Sequence, residues 1–177
     1  MKVIETGQDW KIAALRSSFH VHFLFGGIMN LDFLDLAFEY ANKAFEENEV
    51  PIGAVIVHND EVIGCGYNKK EQLNSVLEHA EIIAIKAAEE KLNNWRLDDC
   101  DIYLTLDPCP MCASAIKQSR IRNVYSALEN LDSNNLEIIQ KIFQKDHTNP
   151  EVQFVSNLAV DKSKKMLNSF FKRQRNQ

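Results

Sequence analysis

The sequence predicts an α/β fold, a three-layer α/β/α sandwich with a mixed five-stranded sheet at its centre, and three observations predict it. Two β-rich runs, residues 51–57 and 62–67, flank the polar turn His58-Asn59-Asp60-Glu61, the pattern of an antiparallel hairpin. From Asp101 onward the order is strand, helix, strand, helix, strand, helix, which argues for parallel strands joined by helical crossovers. Residues 80–92 (AEIIAIKAAEEKL) carry apolar side chains on nearly every side of their first half, which predicts a helix buried between layers.

Each element follows from its own pattern. Between residues 31 and 49, Leu34, Phe38, Ala41 and Phe45 recur at three- and four-residue steps, and Asn30 can cap the amphipathic helix they define. The hairpin follows, then the 80–92 helix. Asp101 to Leu106 reads as a strand ending at Asp107-Pro108. Pro110 suits the first turn of a helix running to Gln118, because proline's missing N–H is not needed there. A strand at 121–127, a helix at 136–144, a strand at 152–155 and a final helix at 158–175 complete the series.

No internal repeat or low-complexity linker divides the chain, so residues 30–177 are expected to form one domain. Residues 1–29 are read as an N-terminal extension of unknown status, and the onset of patterned sequence at Asn30 makes Met29 the expected natural start. The apolar run at 21–29 contains His22 and is too short for a membrane span. It has no A-x-A-like cleavage site, and Glu5 and Asp9 stand where a signal peptide or a transit peptide would be basic.

Composition narrows the function. Hydrophobic residues make up 45% and charged residues 25% of the 177, an ordinary globular balance. The net charge of −5 is uneven: residues 156–177 carry Lys162, Lys164, Lys165, Lys172, Arg173 and Arg175 against Asp161 alone, a net +5, which leaves −10 on the rest. An acidic body disfavours a broad polyanion-binding face, while the basic tail is either a local phosphate contact or a solvated helix face. Four cysteines are too few for a disulfide scaffold, and two form a C-x-x-C pair. Metal or redox chemistry in a reducing compartment, hence the cytoplasm, is expected.

The chemistry lies in His79-Ala80-Glu81 and Pro108-Cys109-Pro110-Met111-Cys112, each at a predicted helix start. A C-x-x-C pair there puts both sulfurs on one side, where free N–H groups and the helix dipole favour thiolate. Three ligands with coherent spacing, His79, Cys109 and Cys112, would hold one Zn²⁺ and leave its fourth position open to water, as catalytic rather than structural zinc requires. Glu81 would carry the protons of a hydrolytic deamination. The pairing of H-x-E with P-C-x-x-C is a known signature of zinc nucleobase deaminases. Two blander readings stand beside it: a redox C-x-x-C, and a closed Cys₄ zinc site recruiting Cys65 and Cys100. His20, His22, His58 and His147 have no acidic or cysteine partner in sequence and are read as ordinary polar or core residues.

From Asn30 to Arg175 the chain resembles the cytidine-deaminase-like superfamily and, within it, the bacterial tRNA-specific adenosine deaminases. The resemblance rests on residues 50–55 (VPIGAV), 66–68 (GYN), 79–82 (HAEI), 94–97 (NWRL), 104–106 (LTL), 108–113 (PCPMCA), 119–121 (SRI) and 170–173 (FFKR). It implies a cytidine deaminase-like fold, one Zn²⁺ per subunit on His79, Cys109 and Cys112, and Glu81 as proton donor and acceptor. It also implies that Asn68 and the backbone of Ala80 hydrogen-bond the target base, that the substrate is the anticodon stem-loop of a tRNA, and that the enzyme is a homodimer. The sequence departs from tRNA-acting relatives at 128–135 (LENLDSNN), which lacks their glycines and lysine, at Leu77-Glu78, and at Asp107, where glutamate is usual. An amide such as Asn68 both donates and accepts, so it can read a purine edge, or it can simply shape a turn.

Three functions are therefore carried forward. Conversion of adenosine to inosine at the tRNA wobble position leads. Deamination of a free base or nucleoside (cytosine, cytidine or guanine) is the alternative that the acidic body favours. A non-catalytic zinc-binding subunit is the third, and the presence of Glu81 speaks against it.

Overall fold

In the computed structural model the described residues are 21–24, 27–130 and 135–176, with side chains described from Met29 onward. Much of the 1–29 extension, and residues 131–134 of the divergent 128–135 segment, lie outside them. Residues β1 (Val21–Leu24) and β2 (Gly27–Asn30) pair antiparallel as a separate two-stranded ribbon, which sequence patterning did not anticipate. Met29 at its end is buried in the core.

Helix α1 (Leu31–Glu46) begins as expected, with the Asn30 side chain accepting from the Asp32 N–H at 2.9 Å. It stops three residues before the expected end. Asn48 adopts φ 64°, and the Glu49 N–H reaches back to the Ala44 carbonyl at 2.8 Å, closing the last turn. Strands β3 (Gly53–His58) and β4 (Glu61–Tyr67) form the predicted hairpin. Asn59 (φ 50°) and Asp60 (φ 60°) take the left-handed conformations its two-residue turn demands. The rest of the chain contributes α2 (Ala80–Leu92), β5 (Cys100–Leu104), α3 (Pro110–Gln118), β6 (Asn123–Ser126), α4 (Asn135–Phe143), β7 (Gln153–Val155) and α5 (Val160–Arg175).

The sheet order is β4-β3-β5-β6-β7; β3 pairs antiparallel with β4 and β5, whereas β5-β6 and β6-β7 are parallel. This is the expected mixed five-stranded sheet in a three-layer sandwich. Alternation along the strands divides the core between its faces. Ala54, Ile56, Ile102, Leu104 and Val124 pack with Ala84, Ala88, Ile116 and Ile139 of α2, α3 and α4. On the other face Val55, Val57, Tyr103 and Tyr125 pack with Leu34, Ala37 and Phe38 of α1 and with Met166 of α5. Helix α5 starts two residues late because the Leu158 and Ala159 N–H groups bond the Ser126 and Ala127 carbonyls, extending the edge of β6.

One expectation needs correcting. Helix α2 is in an outer layer and is not sandwiched: Ala80, Glu81, Ala84, Ile85 and Ala88 are buried, Ile82 and Ile83 are only partly covered, and Lys86 and Glu90 are exposed. The deeply seated face is mostly alanine because the glycines of β4 let the helix come close. A Cβ on Gly66 would lie 2.2 Å from the Ala80 carbonyl oxygen, and one on Gly64 2.3 Å from that of Ala84. Tight packing was legible as a near-continuous apolar pattern, but its depth depends on the partner strand.

Candidate metal centre and active site

Both motifs sit at helix N-termini. His79 is the extended residue preceding α2 (φ −77°, ψ 152°), and Cys109 holds the same position before α3 (φ −73°, ψ 167°), with Pro110 opening that helix. Neither side chain caps its own helix, so both are free to turn outward. The Asn135 side chain donates to the Pro108 carbonyl at 3.2 Å, fixing the turn from α4, and the Lys69 N–H donates to the Glu78 carbonyl at 2.9 Å, pinning the residue before His79 beside the end of β4.

His79 turns Nδ1 toward both sulfurs, 3.8 Å from Cys109 Sγ and 3.5 Å from Cys112 Sγ. The three ligand atoms all lie within 4.8 Å of one another, and among the described residues they are the one group of this kind. A tetrahedral zinc with Zn–S near 2.3 Å and Zn–N near 2.0 Å has N···S edges of about 3.6 Å, so the donor set and its spacing fit that ion. Cys65 and Cys100 take no part: Cys65 is half-buried in β4, and the buried Cys100 thiol points to the Asp98 carbonyl. The closed Cys₄ site is therefore set aside.

The donor groups share protons. Cys109, bonded by the Cys112 thiol and then by His79, is pushed down to about 4, whereas Cys112 is raised by sharing its proton with Cys109 and by its burial. His79 is raised, chiefly through its bond to Cys109. Glu81, 4% exposed, is raised principally by burial, with the Cys109 charge adding to the effect. A carboxyl that neither sits in water nor is tied up as a ligand is suited to taking and returning a proton.

Asn68 follows β4 directly and is buried; its N–H bonds the Ile52 carbonyl at 3.1 Å, and its side-chain Nδ2 donates to Glu49 Oε2 at 3.2 Å. Ala80 is fully buried as the first residue of α2, where helix geometry leaves the backbone N–H without an intrahelical acceptor. Sequence reading missed Glu49, whose position in a loop between a helix and Pro51 carries no periodic signal. It also passed over the support around Asp107, which is buried, accepts from Ser156 Oγ at 2.6 Å and donates its N–H to the Leu128 carbonyl. The basic tail is divided. Phe170 is buried beside Phe45, and Arg173 donates to the Phe45 carbonyl, while Phe171, Lys172 and Arg175 are exposed. No helix among the described residues is long and apolar enough to cross a membrane.

Comparison with known proteins gives a consistent set of likenesses. The sequence profile of the MafB19-like deaminases matches residues 30–175. A tRNA-specific adenosine deaminase of Agrobacterium fabrum is 38% identical over 143 residues, covering 81% of this chain and 94% of that protein. A solved structure from work on adenosine-to-inosine editing by tRNA deaminases at the wobble position of transfer RNA superposes with a TM-score of 0.70 at 38% identity, covering 76% of this chain and 98% of that one. A guanine deaminase from Bacillus subtilis superposes with a TM-score of 0.55 at 30% identity, covering 82% and 92%.

Proposed function

The chain belongs to the MafB19-like deaminase family, and from that premise we propose that it is a zinc-dependent hydrolase converting adenosine to inosine at the wobble position of a tRNA anticodon. The observation that carries the chemistry is the convergence of His79 Nδ1, Cys109 Sγ and Cys112 Sγ beside the buried carboxyl of Glu81. The choice of tRNA adenosine rests on the relatives of 34–38% identity that carry this activity in their names.

His79, Cys109 and Cys112 would hold the zinc, which when bound would supply the acidification of water that a hydrolysis at neutral pH needs. Glu81 would take a proton from the attacking water and deliver it to the purine ring nitrogen. It then moves the proton that lets ammonia depart, so water replaces the exocyclic amine and the carboxylate is regenerated. Asn68 and the Ala80 N–H orient the base against that carboxyl. Exposed Phe171, Lys172 and Arg175 are available to stack on or pair with RNA. The enzyme is read as a cytoplasmic homodimer whose catalytic domain spans residues 30–177, with residues 1–29 as an extension.

Zinc-loaded protein incubated with bacterial tRNA is expected to generate inosine at the wobble position, read by nucleoside mass spectrometry, with the Glu81→Gln variant, zinc still bound, as the inactive control. Bound zinc without inosine would refute the reading. Deamination of a free base is the second reading, favoured by the −10 charge outside the tail and by the likeness to a guanine deaminase. Ammonia release from guanine with no action on tRNA would select it.

A further inference from the structure

Glu49 is 1% exposed and forms no ion pair among the described residues. Its carboxylate is held by two neutral donors: Asn68 Nδ2 reaches Oε2 at 3.2 Å and the Gln72 N–H reaches Oε1 at 2.7 Å. Burying a carboxylate on neutral partners alone is costly, and an apolar side chain would fill the space at lower cost. Its contacts concentrate at the active site. Asn68 ends β4, Gln72 lies in the segment leading to His79, and the Lys69–Glu78 backbone bond ties the two stretches together.

The chemistry of the contact fixes an orientation. Both Glu49 oxygens serve as acceptors, Oε1 for the Gln72 N–H and Oε2 for Asn68 Nδ2, so the NH₂ end of the Asn68 amide faces Glu49. The second N–H and the carbonyl are then presented in a set order. An asparagine with no such partner can flip end for end and exchange donor for acceptor. We propose that Glu49 is a positioning residue that holds the Asn68 amide in one of its two orientations and thereby decides which hydrogen-bonding edge of a purine the site accepts. This rests on the assignment of Asn68 to base recognition above.

Glu49→Gln preserves shape but reverses the logic. Its carbonyl can keep the Gln72 N–H, which turns its NH₂ toward Asn68 and forces the amide over. With zinc-loaded protein and the wild-type substrate, Glu49→Gln is expected to lower kcat/KM by about 5- to 150-fold, the effect of one misdirected buried hydrogen bond. Asn68→Ala should lower it comparably. The double variant should be no worse than Asn68→Ala alone, because Glu49 acts through that side chain. Zinc content and Tm should remain near wild type in Glu49→Gln. A loss that multiplies with that of Asn68→Ala, or no loss, would overturn the proposal, since a purely structural carboxylate would give the first and an idle one the second. The Asn68 side-chain NH₂ signal in ¹⁵N NMR gives a reading independent of turnover: hydrogen-bonded and slowly exchanging in wild type, and released in Glu49→Gln. An unchanged signal would overturn the proposal even if the wild type proved inactive on every nucleobase tried, an outcome that would count only against the assigned function.

Discussion

In the metal-free protein the Cys109–Cys112 pair divides its charge unequally, and that asymmetry is measurable. Cys109 is half-buried and held at about 4, so it is thiolate throughout the neutral range; Cys112 is buried and raised, and burial pushes Cys65 up and Cys100 up to about 12. Reaction follows thiolate fraction and access. At about pH 6, well above the Cys109 value and well below the ordinary thiol range, iodoacetamide is expected to modify Cys109 first and leave the other three largely intact, by peptide mass mapping. Zinc should protect Cys109. Equal labelling of all four cysteines, or labelling indifferent to zinc, would contradict the site as described. The two motifs that bring His79, Cys109 and Cys112 together were legible in the sequence because each combines a restrictive spacing with a helix start. Glu49 was not, because its partners Asn68 and Gln72 lie 19 and 23 residues further along the chain.

At the scale of elements, placement of His79 and Glu81 depends on how deeply α2 seats on β4. Gly66 has no side chain to spare: an added Cβ would meet the Ala80 carbonyl oxygen at 2.2 Å, a backbone atom that cannot swing aside. Gly66→Ala is expected to push the first turn of α2 outward at an overpacking cost of about 1–3 kcal/mol. It should lower Tm in calorimetry and weaken zinc retention in the same variant. Glu90→Ala, on the exposed face of the same helix, should change neither. A variant at Gly66 with undiminished Tm and zinc affinity would show that the seating is not what holds the site. The same strand contact explains why the outer-layer position of α2 was not legible: apolar residues on most faces describe a tightly packed helix, but only the glycines opposite make room for the alanines.

For the molecule as a whole, zinc should be a stability term as well as a catalytic one, because the three ligands come from two helix starts that meet only in the folded chain. A ligand that binds only the native state stabilises it by about 2.7 kcal/mol when its free concentration is 100 times Kd. Chelation is expected to lower Tm and added zinc to restore it, and Cys112→Ser should abolish the response; a Tm indifferent to zinc would argue that the site holds no metal. The order of hairpin and crossovers and the two motifs of the candidate site could be read from the chain alone, because hydrophobic period, turn chemistry and ligand spacing are local properties. Tertiary structure alone decided the β1-β2 ribbon, the outer position of α2, the diversion of Phe170 and Arg173 from the tail into packing against α1, and the Glu49–Asn68 bond. Each of these depends on partners distant in the chain, which no local pattern encodes.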